Sequence, residues 1–255
     1  MKQTLKEIKQ RLSNIDNLKD PFLNDLKDDP RVGVQKLLVQ KINQLSKIKL
    51  LKENFIQRQQ IERQARQMGY KHIVGIDEVG RGPLAGPVVT CAVELPEKFS
   101  LYEVNDSKQL SAYKREKLFN QIKRSCVDYS IASASVEEID RLNIYEATRI
   151  AMKRAVEQLK IKPDLLLIDD MQIEVDIDQK SFIKGDAKSI SIGAASILAK
   201  VYRDHLMQQY SVKYPEYHFD KNNGYGTQEH IEALKKYGVT PIHRQSFSPV
   251  QKCLN

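Results

Sequence analysis

The first 70 residues have apolar positions at the spacing that is typical of helices. One series recurs every three or four residues and consists of Leu5, Ile8, Leu12, Ile15 and Leu18. After a break at residues 28–30, a second series between residues 37 and 55 keeps the same period, and Gly69 is suited to end the last helix. The pattern therefore predicts two antiparallel helices.

From residue 71 onward, short apolar runs alternate with helical periodicity. Strands are predicted at residues 72–77, 87–95, 128–134, 164–169 and 181–185. Helices are predicted at residues 111–125, 143–160, 188–213 and 227–237. A loop rich in Gly and Pro joins the first two strands and indicates a hairpin, whereas the later strands alternate with helices. We therefore expect an α/β domain over residues 71–255, in which helices flank a mixed sheet, and a helical extension over residues 1–70.

The charge is concentrated in the extension. The 255 residues carry a net charge of +8, and 41% of them are hydrophobic, enough for a substantial core. Residues 1–70 hold 15 Lys and Arg against 8 Asp and Glu, and residues 71–255 hold 26 against 25. This distribution is compatible with an electrostatic tether to a polyanion, and equally with a solvated helical extension whose lysines only maintain solubility.

The remaining composition indicates a cytoplasmic protein. Three scattered cysteines do not form a disulfide framework. The N-terminus lacks the apolar segment of a secretory signal, and no run is apolar enough to cross a bilayer.

Four acidic residues follow strand-like runs: Asp77, Glu78, Asp169 and Asp186. Carboxylates that converge at one edge of a sheet repel one another unless a cation lies among them. Hard oxygen ligands favour Mg²⁺ or Mn²⁺, and the five dispersed histidines do not predict a zinc site.

Adjacent acids raise a geometric question, because neighbouring side chains on a regular strand face opposite ways. Asp77 and Glu78 are expected to reach one site only if the strand ends or bulges there; otherwise one of them contributes its backbone carbonyl. Asp169 and Asp170 are likewise expected to diverge, so that at most one enters the site.

Five separated segments resemble, in order, the motifs of the ribonuclease HII family, the type 2 ribonucleases H. They are GIDEVGRGPLAGPVV at 75–89, NDSKQL at 105–110, LLLID at 165–169, KGDAKSISIGAASILAKVYRD at 184–204 and NNGYGTQEH at 222–230. The resemblance covers roughly residues 71–248. Ribonuclease HIII usually has lysine at the position of Arg81 and a larger N-terminal domain, so the match is to the HII type.

The resemblance implies a ribonuclease H-like fold and an active site of four acids at Asp77, Glu78, Asp169 and Asp186. It implies two divalent cations, Mg²⁺ or Mn²⁺, and an in-line displacement that leaves 5′-phosphate and 3′-hydroxyl ends. The expected reaction is hydrolysis of the RNA strand of RNA–DNA hybrids and cleavage at ribonucleotides embedded in duplex DNA.

The same resemblance implies how the substrate is recognised. The backbone of Gly80, Arg81 and Gly82, here called the GRG loop, would contact the ribose 2′-hydroxyl, which distinguishes RNA from DNA. Tyr225 would pack on the deoxyribose just downstream. The candidate phosphate contacts, each inside a family motif, are Lys108, Lys184 and Lys200.

Two other functions remain open from the residues. One is a non-catalytic module that binds RNA–DNA hybrids, and the other is a general two-metal nuclease of the same fold. We expect a monomer without a membrane partner, whose nucleic-acid partners are RNA–DNA hybrids and ribonucleotide-containing duplex DNA; any protein partner of residues 1–70 is not specified.

Overall fold

The computed structural model describes residues 3–105 and 107–254. Asp106, in the predicted NDSKQL motif, lies outside the described residues. The chain divides into two compact units, Met1–Gln57 and Arg58–Asn255. This division falls earlier than the boundary predicted at residue 70.

The first unit contains short helices that precede a long one: α1 is Leu5–Ser13, α2 is Pro21–Asp25 and α3 is Val32–Arg58. Its core consists of buried apolar side chains from these helices and their connections: Ile8, Leu12, Ile15, Phe22, Leu23, Leu26, Val34, Leu38 and Leu45. Burial of this apolar surface stabilises helices that would be marginal alone.

The prediction of two helices over residues 1–70 was wrong, because start signals divide the segment further. Thr4 and Glu7 form a reciprocal capping box that begins α1. Asp20 accepts a hydrogen bond from the N–H of Phe22 and begins α2, with Pro21 as its first residue. A fourth helix, α4, follows α3 at Gln60–Gln67.

In the second unit, the described residues form one sheet of five strands. Their bounds are β1 Ile73–Val79, β2 Val88–Glu94, β3 Asp128–Ala134, β4 Leu165–Asp169 and β5 Asp178–Phe182. The order is β3-β2-β1-β4-β5, in which β1 pairs antiparallel with β2 and parallel with β4. The predicted hairpin and the predicted mixed sheet are both confirmed.

The helices of this unit include three short ones that the apolar pattern did not predict. The bounds are α5 Ala112–Ser125, α6 Val136–Leu142, α7 Ile144–Glu157, α8 Ile190–Lys213, α9 Phe219–Asn222, α10 Gln228–Tyr237 and α11 Ser248–Gln251. Short 3₁₀ turns occur at Ser107–Gln109, Gly185–Ala187 and Pro215–Tyr217. One large apolar cluster lies where the buried strands β1, β2 and β4 meet α7.

The strand predicted at residues 181–185 was wrong in position. β5 begins at Asp178 and ends at Phe182, and Gly185, three residues later, is the first residue of a 3₁₀ turn. β5 is an edge strand with polar, largely exposed residues, so it has no apolar run to mark its start.

Helix α8 is held close to the sheet at its N-terminus. A Cβ on Gly75 of β1 would lie 2.2 Å from the backbone carbon of Ser191, so glycine permits this contact. Buried Glu62 of α4 accepts hydrogen bonds from the hydroxyls of Ser189 and Ser191, at 2.5 and 2.6 Å. A carboxylate at this end of α8 is also favoured by the helix dipole.

None of the helices in the described part of the chain is long and apolar enough to span a membrane.

Candidate active site

Three carboxylates meet at one edge of the sheet. Asp77 and Glu78 lie on β1, and Asp169 is the last residue of β4. One carboxylate oxygen from each lies within 4.8 Å of the others. We call these three residues the carboxylate cluster.

The strand geometry at this cluster differs from the expected one. The register of β1 with β2 continues through Val79, and the pairing has no bulge at Asp77 or Glu78. On its other side, β1 pairs with β4 only as far as Ile76. Beyond Ile76, no residue in the described part of the chain pairs with this side of β1, and carboxylate oxygens of Asp77 and Glu78 both lie within 4.8 Å of one from Asp169. The expected bulge is absent, the pairing of β1 with β4 does end before Asp77, and the choice of ligand atoms stays a prediction.

Local hydrogen bonds hold two of the three carboxylates in place. Asp77 accepts from the N–H of Glu78 at 2.7 Å and from the hydroxyl of Ser196. Ser196 in turn lies 2.9 Å from the hydroxyl of Ser107. Asp169 accepts from the N–H of Gly185 at 2.6 Å.

The electrostatics of the cluster disfavour three negative charges. Burial raises the pKa of Asp77 well above its ordinary value, and the charges of Glu78 and Asp169 add to that effect. Burial also raises the pKa of Glu78, although Arg81 opposes this, and that of Asp169, although the N–H of Gly185 opposes it. A cation among the carboxylates would remove this repulsion.

The fourth predicted acid, Asp186, lies in the turn Gly185–Ala187, directly after the N–H that holds Asp169. It is buried, but it is not a member of the group within 4.8 Å. Its role as a ligand therefore stays a prediction. Asp170 is exposed with φ at 45°, and its N–H donates to Phe182, so the two neighbouring acids diverge.

The GRG loop begins directly after Val79, the last residue of β1, and so it follows Asp77 and Glu78 closely in the chain. Gly80 has φ at +95°, a conformation that side chains rarely adopt. Arg81 lies 3.7 Å from the carboxylate of Glu78. A Cβ on Gly82 would lie 3.5 Å from the ring of Tyr225, which is 46% exposed. The loop, the tyrosine and the cluster thus occupy one continuous surface.

The three predicted phosphate contacts differ in their surroundings. Lys108 is exposed in the turn Ser107–Gln109, and its charge opposes the rise in the pKa of Asp169 that burial causes. Lys184 is exposed and has a left-handed backbone conformation. Lys200 is ion-paired with Asp204 at 2.5 Å, so it would have to leave or share this partner to bind phosphate.

Two buried arginines beside the loop were not predicted to support it. Arg203 of α8 donates to the carbonyls of Pro87, Ala85 and Asn223, and Arg244 to those of Gly86, Arg81 and Gly80. In the sequence, Arg203 looked like an ordinary basic residue inside a family motif, and Arg244 like one that follows the last of the five motifs. A signal for burial was absent because arginine is normally exposed.

Two histidines that are separated in sequence form a buried pair. The N–H of Thr240 donates to Nδ1 of His243 at 2.9 Å, which leaves the proton of His243 on Nε2. That Nε2 lies 3.0 Å from Nε2 of His230, whose Nδ1 then donates to the carbonyl of Tyr225 at 2.9 Å. Burial lowers the pKa of His230 and lowers that of His243 to about 4. The pair therefore anchors the backbone of Tyr225 while neutral.

Comparison with known proteins relates the chain to one family throughout. The family model "Ribonuclease HII" matches residues 74–250, and the model "Ribonuclease HII N-terminal domain" matches residues 4–66. Ribonuclease HII of Pediococcus pentosaceus is 51% identical over 251 residues, covering 98% of each chain.

Solved structures of related enzymes have the same fold. The ribonuclease H2 of Pyrococcus horikoshii superimposes with a TM-score of 0.63 at 30% identity, over 72% of this chain and 97% of that one. A structure of Bst-RNase HIII in complex with Mn²⁺ superimposes with a TM-score of 0.56 at 18% identity, over 74% and 71% of the two chains. The second likeness is one of fold alone.

Proposed function

The chain belongs to the ribonuclease HII family and is an endoribonuclease, and we propose that it uses Mg²⁺ or Mn²⁺ to cut at ribonucleotides embedded in duplex DNA as well as in RNA–DNA hybrids. Cleavage would leave 5′-phosphate and 3′-hydroxyl ends. We propose a cytoplasmic enzyme that acts as a monomer.

The observation that carries this proposal is the contiguity of the carboxylate cluster and the GRG loop. The GRG loop begins two residues after Glu78, and the guanidinium of Arg81 lies 3.7 Å from the carboxylate of Glu78. Tyr225 lies against Gly82 on the same surface. A nucleotide whose 2′-hydroxyl meets the loop would therefore place its phosphate beside the carboxylates.

The donor set suits a hard divalent cation. Three carboxylate oxygens within 4.8 Å of one another repel when ionised, and no histidine or cysteine belongs to this group of described residues. Asp77, Glu78 and Asp169 would hold the cation, and Asp186 is proposed as a further ligand. Such a cation would activate water as a nucleophile and stabilise the charge that develops on the leaving oxygen.

The protein's own groups would position the substrate. Hydrogen bonds from Ser196 and from the N–H of Gly185 keep two carboxylates in a defined orientation. The N–H groups of the GRG loop would donate to the 2′-hydroxyl, and the ring of Tyr225 would pack on the next sugar. Lys108, Lys184 and Lys200 would contact phosphates.

Cleavage of three matched duplexes tests the proposal: DNA with one ribonucleotide, an RNA–DNA hybrid and all-DNA. We expect cleavage of the first two with Mg²⁺ or Mn²⁺, loss with a chelator, and no cleavage of the third. Cleavage of all-DNA at a comparable rate would favour the general nuclease, and binding without product would favour the non-catalytic module.

For residues 1–70 we propose that the helical extension, with its +7 charge, contributes to nucleic-acid binding. Deletion of residues 1–57, rather than 1–70, leaves Glu62 in place at the N-terminus of α8. We expect this truncation to weaken hybrid binding and to flatten its salt dependence, since each neutralised phosphate contributes a slope of roughly −0.9 in log K against log salt. An unchanged slope would mean that the extension does not bind the nucleic acid.

A further inference from the structure

Arg203 and Arg244 are the largest fully buried side chains outside the apolar core, and both are 0% exposed. Neither guanidinium forms an ion pair with a carboxylate in the described ranges 3–105 and 107–254. Burial lowers the pKa of Arg203 to about 10 and that of Arg244 to about 9, so both remain charged at neutral pH. Burying an unpaired charge is costly unless hydrogen bonds compensate it.

The compensation for Arg244 comes from the loop that carries Gly80, Arg81 and Gly82. Its guanidinium donates to the carbonyl of Gly80 at 2.5 Å and to that of Arg81 at 2.9 Å, and its Nε donates to Gly86 at 2.9 Å. A fixed planar fork is suited to hold two carbonyls at a defined angle. Arg203 lies beside it and binds the flanking carbonyls of Ala85, Pro87 and Asn223.

The hydrogen bonds from Arg244 to the carbonyls also orient neighbouring N–H groups of the loop. A peptide unit is planar, so the carbonyl of one residue fixes the direction of the next residue's N–H. Holding the Gly80 carbonyl therefore fixes the N–H of Arg81, and holding the Arg81 carbonyl fixes the N–H of Gly82. Within the described part of the chain, neither N–H has an intramolecular acceptor. Gly82 is exposed, so its N–H is accessible to a ligand.

We propose that Arg244 is a positioning residue for ribose selection: through the carbonyls of Gly80 and Arg81, it aims the loop's N–H donors at the substrate's 2′-hydroxyl. Arg203 supports the same loop from its flanks. This inference rests on the proposed recognition of ribose by the GRG loop. On this proposal, the selectivity of the exposed GRG loop depends on Arg244, a buried side chain that does not touch the substrate.

The test measures a ratio of affinities, because lower stability alone would weaken all binding equally. In an Asp77→Asn background, binding is compared for duplex DNA with one ribonucleotide and for the same duplex without it. Arg244→Lys keeps the charge but cannot span three carbonyls. We expect it to reduce the preference for the ribonucleotide about tenfold, equivalent to about 1.4 kcal/mol, while affinity for all-DNA changes little.

Two variants serve as controls. Arg203→Lys leaves the bonds to Gly80 and Arg81 intact, so the preference should fall less. Arg154→Lys removes bidentate contacts with the carbonyl of Ser133 and with Glu138, on the far side of β3, two strands away from β1, and should leave the preference unchanged. An unchanged preference in Arg244→Lys would overturn the inference. Absence of any preference in the background protein would instead overturn ribose recognition itself.

A second measurement covers the case in which Arg244→Lys does not fold. In the Asp77→Asn protein, ¹⁵N spectra of the arginine side chains can be followed during titration with each duplex. We expect the Arg244 guanidinium signals to shift with the ribonucleotide-containing duplex and to remain in place with all-DNA. Identical spectra with the two duplexes would contradict a link between Arg244 and ribose recognition.

Discussion

The carboxylate cluster and the GRG loop are neighbours in sequence, but they are held in place by different means. Asp77, Glu78 and Asp169 stand on paired strands, and short hydrogen bonds from nearby groups orient the carboxylates of Asp77 and Asp169. The GRG loop has left the sheet, and its carbonyls are held by Arg244, from a segment more than 160 residues away in the chain. The backbone of Tyr225 depends on His230 and, through it, on His243.

This difference suggests that chemistry and selectivity can be separated by mutation. The cluster is built by the register of the sheet, which single surface changes do not alter. The positions of the GRG loop and of Tyr225 depend on a few buried polar side chains, each of which leaves carbonyls or nitrogens unsatisfied when it is removed. We therefore expect substitutions in the cluster to abolish turnover and substitutions behind the loop to change substrate preference.

The largest expected effect comes from Asp77→Asn. We expect cleavage to fall by roughly a thousandfold or more, about 4 kcal/mol in the barrier, because the site loses a proposed charged ligand of the cation. Hybrid binding should be largely retained. Without metal, the variant should melt at the same or a higher temperature, since a buried, repelled carboxylate is gone.

Melting curves with and without Mn²⁺, recorded beside single-turnover cleavage, check the Asp77 prediction. The stabilisation by Mn²⁺ should shrink in the variant, because a ligand that binds only the folded state stabilises it less when its affinity is lower. A near-normal cleavage rate would show that Asp77 is not part of the catalytic site.

The histidine pair predicts a pH dependence of stability. The pKa of His243 falls from 6.5 to about 4 on folding, so the unfolded chain takes up the proton more readily. The stabilisation is therefore complete above pH 6.5 and is lost as pH falls through about 4, by roughly 3 kcal/mol in total. Urea unfolding at several pH values should show this slope for the native chain and a smaller one for His243→Gln.

A matched control for the histidine pair is His218→Asn. His218 is exposed with φ at 51°, a conformation that asparagine tolerates. This variant should keep the pH slope of the native chain. An equal slope in His243→Gln would mean that other groups cause the acid sensitivity.

The expected effect of Tyr225→Ala is smaller and is confined to selectivity. Its ring is 46% exposed and lies near Gly82, so removing it should change the melting temperature little. We expect cleavage at a single ribonucleotide to fall roughly tenfold, in keeping with the value of an aromatic packing contact on a nucleotide. Tyr225→Phe, which keeps the ring, should retain most activity; equal rates for the alanine variant would mean that the tyrosine does not contact substrate.

The smallest effect is expected for Asp170→Asn. Asp170 is next to Asp169 but is exposed and lies outside the carboxylate cluster. Its cleavage rate and its stabilisation by Mn²⁺ should both stay close to those of the native chain. Loss of both in this variant, with Asp169→Asn still active, would place the third acid at Asp170 instead.

Much of the fold could be predicted from local patterns. The strands β1, β2, β3 and β4 have apolar or alternating runs, and the Gly/Pro-rich loop indicated the hairpin. The prediction failed for elements that have no periodic apolar pattern. β5 is a polar edge strand, and α2 is defined by its cap and proline rather than by an apolar series.

By itself, the sequence determined which residue types stand at the strand ends, and hence the acidic, metal-compatible chemistry and the family. The tertiary structure decided which groups meet. It brought Asp169 of β4 to Asp77 and Glu78 of β1, and it buried Arg244 behind a loop far away in the chain. It also paired His230 with His243. Such contacts have no local periodicity, since they depend on how distant segments pack, and polar residues that bind backbone carbonyls leave no apolar pattern in the sequence.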